Sequence, residues 1–105
     1  MKIAIIGAGG WGTALAIQAA KQNEVTLWSH DPAETALFNE NSENVTYLPG
    51  VHIPREIWIT SKVEAVRDSD ILIFTPPSRY MRTVAKEFLN LISDKMIIAS
   101  GSKGF

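Results

Sequence analysis

Residues 3–12 read Ile-Ala-Ile-Ile-Gly-Ala-Gly-Gly-Trp-Gly, an apolar run that passes directly into Gly7-x-Gly9-x-x-Gly12. No other stretch restricts the fold so strongly. A buried strand that ends on three spaced glycines and opens a helix is the arrangement a dinucleotide pyrophosphate requires. Gly7 permits the tight turn out of the strand, Gly9 lets backbone approach the phosphates, and Gly12 lets the helix pack against the strand. The helix start then offers free N–H groups and a positive dipole end to an anion. Glycines cluster in turns for other reasons too, so the flanking residues carry much of the weight. Gly12, Leu15, Ala16, Ala19 and Ala20 fall on one helical face, and a second strand, Val25-Thr-Leu-Trp28, follows within the expected unit of about thirty residues.

Apolar runs alternate with helical patterns along the rest of the chain. This predicts an α/β, Rossmann-type doubly wound parallel sheet: five strands with covering helices, forming one dinucleotide-binding domain over residues 1–105. Strands are expected at 2–6, 24–28, 57–60, 70–75 and 95–100, several of them continuous apolar runs suited to burial on both faces. Asp31-Pro32-x-Glu34 reads as a helix start with a capping box, and Ala33, Ala36 and Leu37 are expected to face the core. Ser61-x-x-Glu64 reads as a second capping box. Residues 41–56, with two prolines and a glycine, read as irregular. Ser78 is a candidate cap for a helix whose Met81, Val84, Ala85 and Phe88 share a face. The chain stops at Ser100-Gly-Ser-Lys-Gly-Phe105, just past a strand. A doubly wound sheet would continue, so the expectation is the leading part of a larger protein or a short relative.

Composition narrows the function. Ten basic and eleven acidic side chains nearly cancel, which gives no electrostatic case for nucleic acid or an anionic membrane. With no cysteine, disulfide scaffolds, thiolate metal sites and cysteine nucleophiles are excluded, and no metal site is expected. The N-terminal apolar run is too short for a signal peptide, no stretch is long enough to span a bilayer, and a cytoplasmic location is expected. Asn44-Val45-Thr46 fits a glycosylation sequon that such a location would leave unused.

Four motifs occur together and in order: Gly7-Ala-Gly-Gly-Trp-Gly-Thr-Ala-Leu-Ala16, Leu27-Trp-Ser-His-Asp-Pro32, Glu43-Asn-Val-Thr-Tyr-Leu-Pro-Gly-Val51 and Ser102-Lys-Gly104, with Pro77-Ser78 after the fourth strand. With them the whole chain resembles the N-terminal domain of bacterial NAD(P)-dependent glycerol-3-phosphate dehydrogenases. The resemblance implies a Rossmann-type domain followed by a mostly helical substrate domain, and a homodimer. It also implies hydride transfer between a nicotinamide cofactor and the glycerol 3-phosphate/dihydroxyacetone phosphate pair, a step toward glycerophospholipid precursors. By position it puts Gly10 and Trp11 in the phosphate loop and His30 beside the adenosine ribose. Tyr47 falls on the cofactor side. Lys103 falls at the junction of nicotinamide and substrate, as a contact to both. Gly10 stands where serine is more usual, Ser102 where threonine is, and Pro76 where a small apolar residue is common. The family's catalytic base is a lysine beyond position 105, so no catalytic residue is expected within this chain.

Each residue also has a plainer reading. Trp11 can be apolar cover for the first helix, His30 a solvated residue before the Asp31 cap, Tyr47 loop packing, and His52 a surface histidine. Arg79 and Arg82 read as a solvated face, and Lys103 as a solvent lysine in a tail. Against that last reading, Lys103 follows a strand's C-terminal end, where ligands bind in open α/β sheets. Its ammonium can meet a phosphate or polarise a carbonyl.

Cofactor choice has a physical handle. An acid at the end of the second strand would bond the ribose 2′-hydroxyl and repel a 2′-phosphate. Ser29 and His30 occupy that end, neither repels phosphate, and Asp31 is assigned to the helix cap, so NADP(H) is favoured with NAD(H) tolerated. Two other readings stay open: a related two-domain dehydrogenase acting on another small hydroxy acid, and a stand-alone nucleotide-binding module without chemistry.

Overall fold

The computed structural model describes residues 1–75, Lys86, Phe88 and 96–100. Its centre is a five-stranded, wholly parallel sheet. The strands are β1 (Lys2–Ile6), β2 (Glu24–Trp28), β5 (Trp58–Thr60), β6 (Ile71–Phe74) and β7 (Ile97–Ser100). Their spatial order is β5-β2-β1-β6-β7. Helix α1 (Gly10–Ala19) joins β1 to β2, and α2 (Pro32–Asn41) follows β2. The expected α/β parallel architecture is therefore the one observed, and the strand bounds agree to within one or two residues where they are described.

Alternation along β1 explains its unbroken apolar run. Ile3 and Ile5 join one buried cluster with Ala16, Val25, Leu27 and Phe38. Ala4 and Ile6 join another with Trp28, Val66, Leu72, Phe74 and Phe88. Both faces are thus dry, and each fully buried isoleucine contributes about 1.5–3 kcal/mol. Phe88 meets Trp28 edge-on at 4.8 Å and so covers part of the second face. Met81, Val84 and Ala85, together with Ser78, lie outside the described residues.

Three expectations are corrected. Residues 41–56 are not wholly irregular, because β3 (Glu43–Asn44) and β4 (Leu48–His52) form a small antiparallel pair. Helix α2 turns a different face inward: Thr35 and Phe38 are buried, while Ala33, Ala36 and Leu37 are exposed. Phe38 offers far more apolar area than either alanine, and Thr35 satisfies its hydroxyl locally by donating to the Pro32 carbonyl at 2.9 Å. Ser61 does not cap the next segment, a 3₁₀ helix over Val63–Val66 whose cap position is Lys62 with no side-chain bond. The Ser61 hydroxyl instead lies 3.3 Å from that of Thr35.

Candidate dinucleotide site

The chain leaves β1 through Gly7, whose φ of 118° strains any residue with a Cβ. The Gly7 N–H donates to the Trp28 carbonyl at 2.8 Å, which ties the turn to the end of β2. Thr75, just past β6, holds it from the other side. Its N–H donates to the Ile6 carbonyl at 2.8 Å. Its Oγ1 lies 2.9 Å from the Gly7 carbonyl and 3.0 Å from that of Ile6, one proton serving both. The turn therefore sits between β1 and β6, where the strand order reverses, the place at which open parallel sheets bind ligands.

The three glycines after Gly7 do different work. A Cβ on Gly12 would run into the Gly7 carbonyl and come within 2.7 Å of Thr75 Oγ1, so this glycine sets how closely α1 meets the strand. A Cβ on Gly10 would lie 2.8 Å from the Tyr47 carbonyl oxygen. Tyr47 backbone thus takes the space that a side chain at Gly10 would need. Gly9 is unlike both. Among the described residues a Cβ there would meet nothing within 4 Å, and its φ of −73° and ψ of −175° suit any residue.

Gly9 is also the N-cap of α1. No side chain caps this helix, and its first turn carries no acid. An open space before an uncapped N-terminus, at the switch point of a parallel sheet, fits a pyrophosphate on backbone N–H groups. Trp11 in the first turn is 48% exposed, and Tyr47, in the turn between β3 and β4, is 55% exposed, with its backbone lying against Gly10.

Asn44 is the residue sequence reading passed over. It is fully buried. Its Nδ2 donates to the Ala8 carbonyl at 2.8 Å and to Thr13 Oγ1 at 2.7 Å, while its Oδ1 accepts from the Tyr47 N–H at 2.9 Å. Its partners lie up to 36 residues away, and only its place in the Glu43–Val51 motif hints at the role. Burial also removes this asparagine from any use as a glycosylation site in the folded chain.

At the end of β2, His30 is exposed but Ser29 is only 3% exposed. Ser29 Oγ donates to Glu34 Oε1 at 3.1 Å and accepts from the Asp31 N–H at 3.3 Å. Asp31 caps α2 as expected, Oδ1 accepting from the N–H groups of Ala33 and Glu34. An acid therefore does stand at this strand end: Glu34, brought back by the first turn of α2. His52 is exposed on β4. Arg79, Arg82 and Lys103 lie outside the described residues. Among the described residues no group of three or more His, Cys, Asp or Glu comes together as a metal site, and no helix is long and apolar enough to cross a membrane.

Known proteins bear directly on this geometry. Residues 2–105 match the family model described as NAD-dependent glycerol-3-phosphate dehydrogenase N-terminus. The chain belongs to that family. A glycerol-3-phosphate dehydrogenase [NAD(P)+] of Fusobacterium nucleatum is 41% identical over 106 residues, covering 99% of this chain and 32% of that protein. A solved glycerol-3-phosphate dehydrogenase of Coxiella burnetii is 33% identical with a TM-score of 0.91, covering 99% of this chain and 33% of that one. The corresponding yeast enzyme, from Saccharomyces cerevisiae, is 25% identical with a TM-score of 0.88, covering 100% of this chain and 34% of that one. The chain thus spans about a third of the length of the glycerol-3-phosphate dehydrogenases it matches.

Proposed function

We propose that this chain is the NAD(P)-binding domain of a glycerol-3-phosphate dehydrogenase, with the dinucleotide lying across the Gly7–Gly12 turn. The observation that carries this reading is Gly9, a glycine with neither a strained φ nor a crowded Cβ to require it. No contact among the described residues calls for its missing side chain, which leaves the room a ligand needs. In this reading Gly7 and Gly12 shape the turn, Gly9 and Gly10 lie against the pyrophosphate, and Trp11 and Tyr47 flank the dinucleotide. Ser29 and His30 lie at the adenosine ribose, with Ser29 acting through the Glu34 carboxylate it holds. Lys103 contacts nicotinamide and substrate. Bound there, the nicotinamide supplies a hydride donor or acceptor.

The 41% identity along nearly the whole chain favours glycerol 3-phosphate and dihydroxyacetone phosphate over another small hydroxy acid. A second, mostly helical domain following residue 105 would close over that substrate and supply the base, in a cytoplasmic homodimer. The test is an assay of the full-length gene product with dihydroxyacetone phosphate and NADH or NADPH. Substrate-dependent oxidation of either cofactor is expected. Cofactor binding without turnover would instead favour a nucleotide-binding module without chemistry.

A further inference from the structure

Asn44 ties its own turn to the distant segment that carries the glycine turn and the start of α1. Ala8 belongs to the glycine turn, Thr13 to the first turns of α1, and Tyr47 to the turn between β3 and β4. The Ala8 carbonyl can only accept, which fixes which end of the amide faces it. Both N–H bonds then go to the turn and the helix, and the carbonyl is left for the Tyr47 N–H. With no exposed surface, no water replaces any of the three bonds. The Tyr47 carbonyl in turn lies against Gly10, in the space where a side chain there would begin. Tyr47 is therefore bonded through its N–H and packed against Gly10 through its carbonyl, while the residue stays more than half exposed.

We propose that Asn44 is a positioning residue for the cofactor. It latches the Tyr47 turn onto the glycine turn and α1, so that the Tyr47 side chain stands preset beside a bound dinucleotide. The proposal rests on the site assignment above. It adds that affinity is set by a buried amide that the ligand never touches. Presetting the aromatic surface removes an ordering cost that binding would otherwise bear. The β3–β4 pair, short and bearing Pro49 and Gly50, has little sheet pairing of its own to fix this turn.

The test uses the full-length enzyme and steady-state kinetics with NADH or NADPH. Asn44→Ala should raise the cofactor KM roughly tenfold, the scale of a lost buried hydrogen-bond set, with kcat at saturating cofactor and the dihydroxyacetone phosphate KM changed less than about twofold. Thr13→Val removes the hydroxyl that accepts one of the Asn44 bonds while keeping the volume, and should give the same split at about threefold, which keeps the test open should Asn44→Ala fail to fold. In a Tyr47→Ala background, Asn44→Ala should add less than about twofold, because its route to the ligand is gone. An unchanged cofactor KM in Asn44→Ala or in Thr13→Val overturns the proposal, as do independent, multiplying effects of Asn44→Ala and Tyr47→Ala. Gly9→Val separates the two levels. If it leaves cofactor binding intact, the site assignment fails; if it abolishes binding while Asn44→Ala does nothing, only the latch fails.

Discussion

The hydroxyl of Ser29 donates to the carboxylate of Glu34 across 3.1 Å, and this bond changes how the end of β2 meets a ribose. While it holds, Ser29 has no proton for a 2′-phosphate, and a negative charge stands beside the strand end. Glu34→Gln should therefore raise NADP(H) affinity relative to NAD(H) by about three- to tenfold, since a like charge is removed from a partly exposed position. Titrating both cofactors into parent and variant gives the ratio, and an unchanged ratio would refute the role given to Glu34. Ser29→Asp also disfavours the 2′-phosphate, but it sets a second carboxylate against Glu34 in a buried place. It should cost stability in addition.

Gly12→Ala should be severely destabilising. Its methyl group has to displace the Gly7 carbonyl, which is backbone, and Thr75 Oγ1. Overpacking costs about 1–3 kcal/mol where side chains can yield, and here the obstacle cannot. Urea denaturation should show a loss at or above that range, and an unaltered midpoint would contradict the close helix–strand contact.

β7 lies at one edge of the described sheet, and its Ile97 and Ile98 are 58% and 51% exposed on opposite faces. An apolar edge of this kind invites pairing with another chain. The 105-residue chain should self-associate with rising concentration, and Ile98→Lys should reduce the effect. Sedimentation reads both, with a clean monomer at high concentration as the opposing result.

The chain alone should bind cofactor without turning over dihydroxyacetone phosphate. Orientation and exclusion of water by a second domain are worth about 7–11 kcal/mol in favourable cases. No substrate-dependent oxidation of NADPH is expected from residues 1–105. Turnover that disappears in Lys103→Ala would make Lys103 the acid/base.

The sheet was legible in the sequence because strands buried on both faces leave unbroken apolar runs, as Ile3–Ile6 and Ile71–Phe74 do. The β3–β4 pair was not, since two and five residues bearing Pro49 and Gly50 carry no periodic signal. The inward face of α2 was misjudged because Thr35, a polar residue, is buried through its own backbone bond, while apolar Leu37 is not. In the site, the glycine spacing was local and could be read. Glu34 was visible as a capping residue, but its bond goes to Ser29 Oγ rather than to the Asp31 N–H. The part played by Asn44 depends on partners 31 and 36 residues away, which no local pattern encodes.

The central claim is that the space in front of Gly9 belongs to a dinucleotide pyrophosphate. Its most direct test is calorimetric titration of NADH and NADPH into the parent chain and Gly9→Val, at concentrations low enough to limit self-association. The backbone at Gly9 suits a β-branched residue and its Cβ meets nothing among the described residues, so the variant should stay folded, losing about 1 kcal/mol for a poorer N-cap. The account predicts an intact fold with affinity reduced at least about tenfold, equivalent to about 1.4 kcal/mol or more. Equal binding by a folded Gly9→Val chain would contradict it.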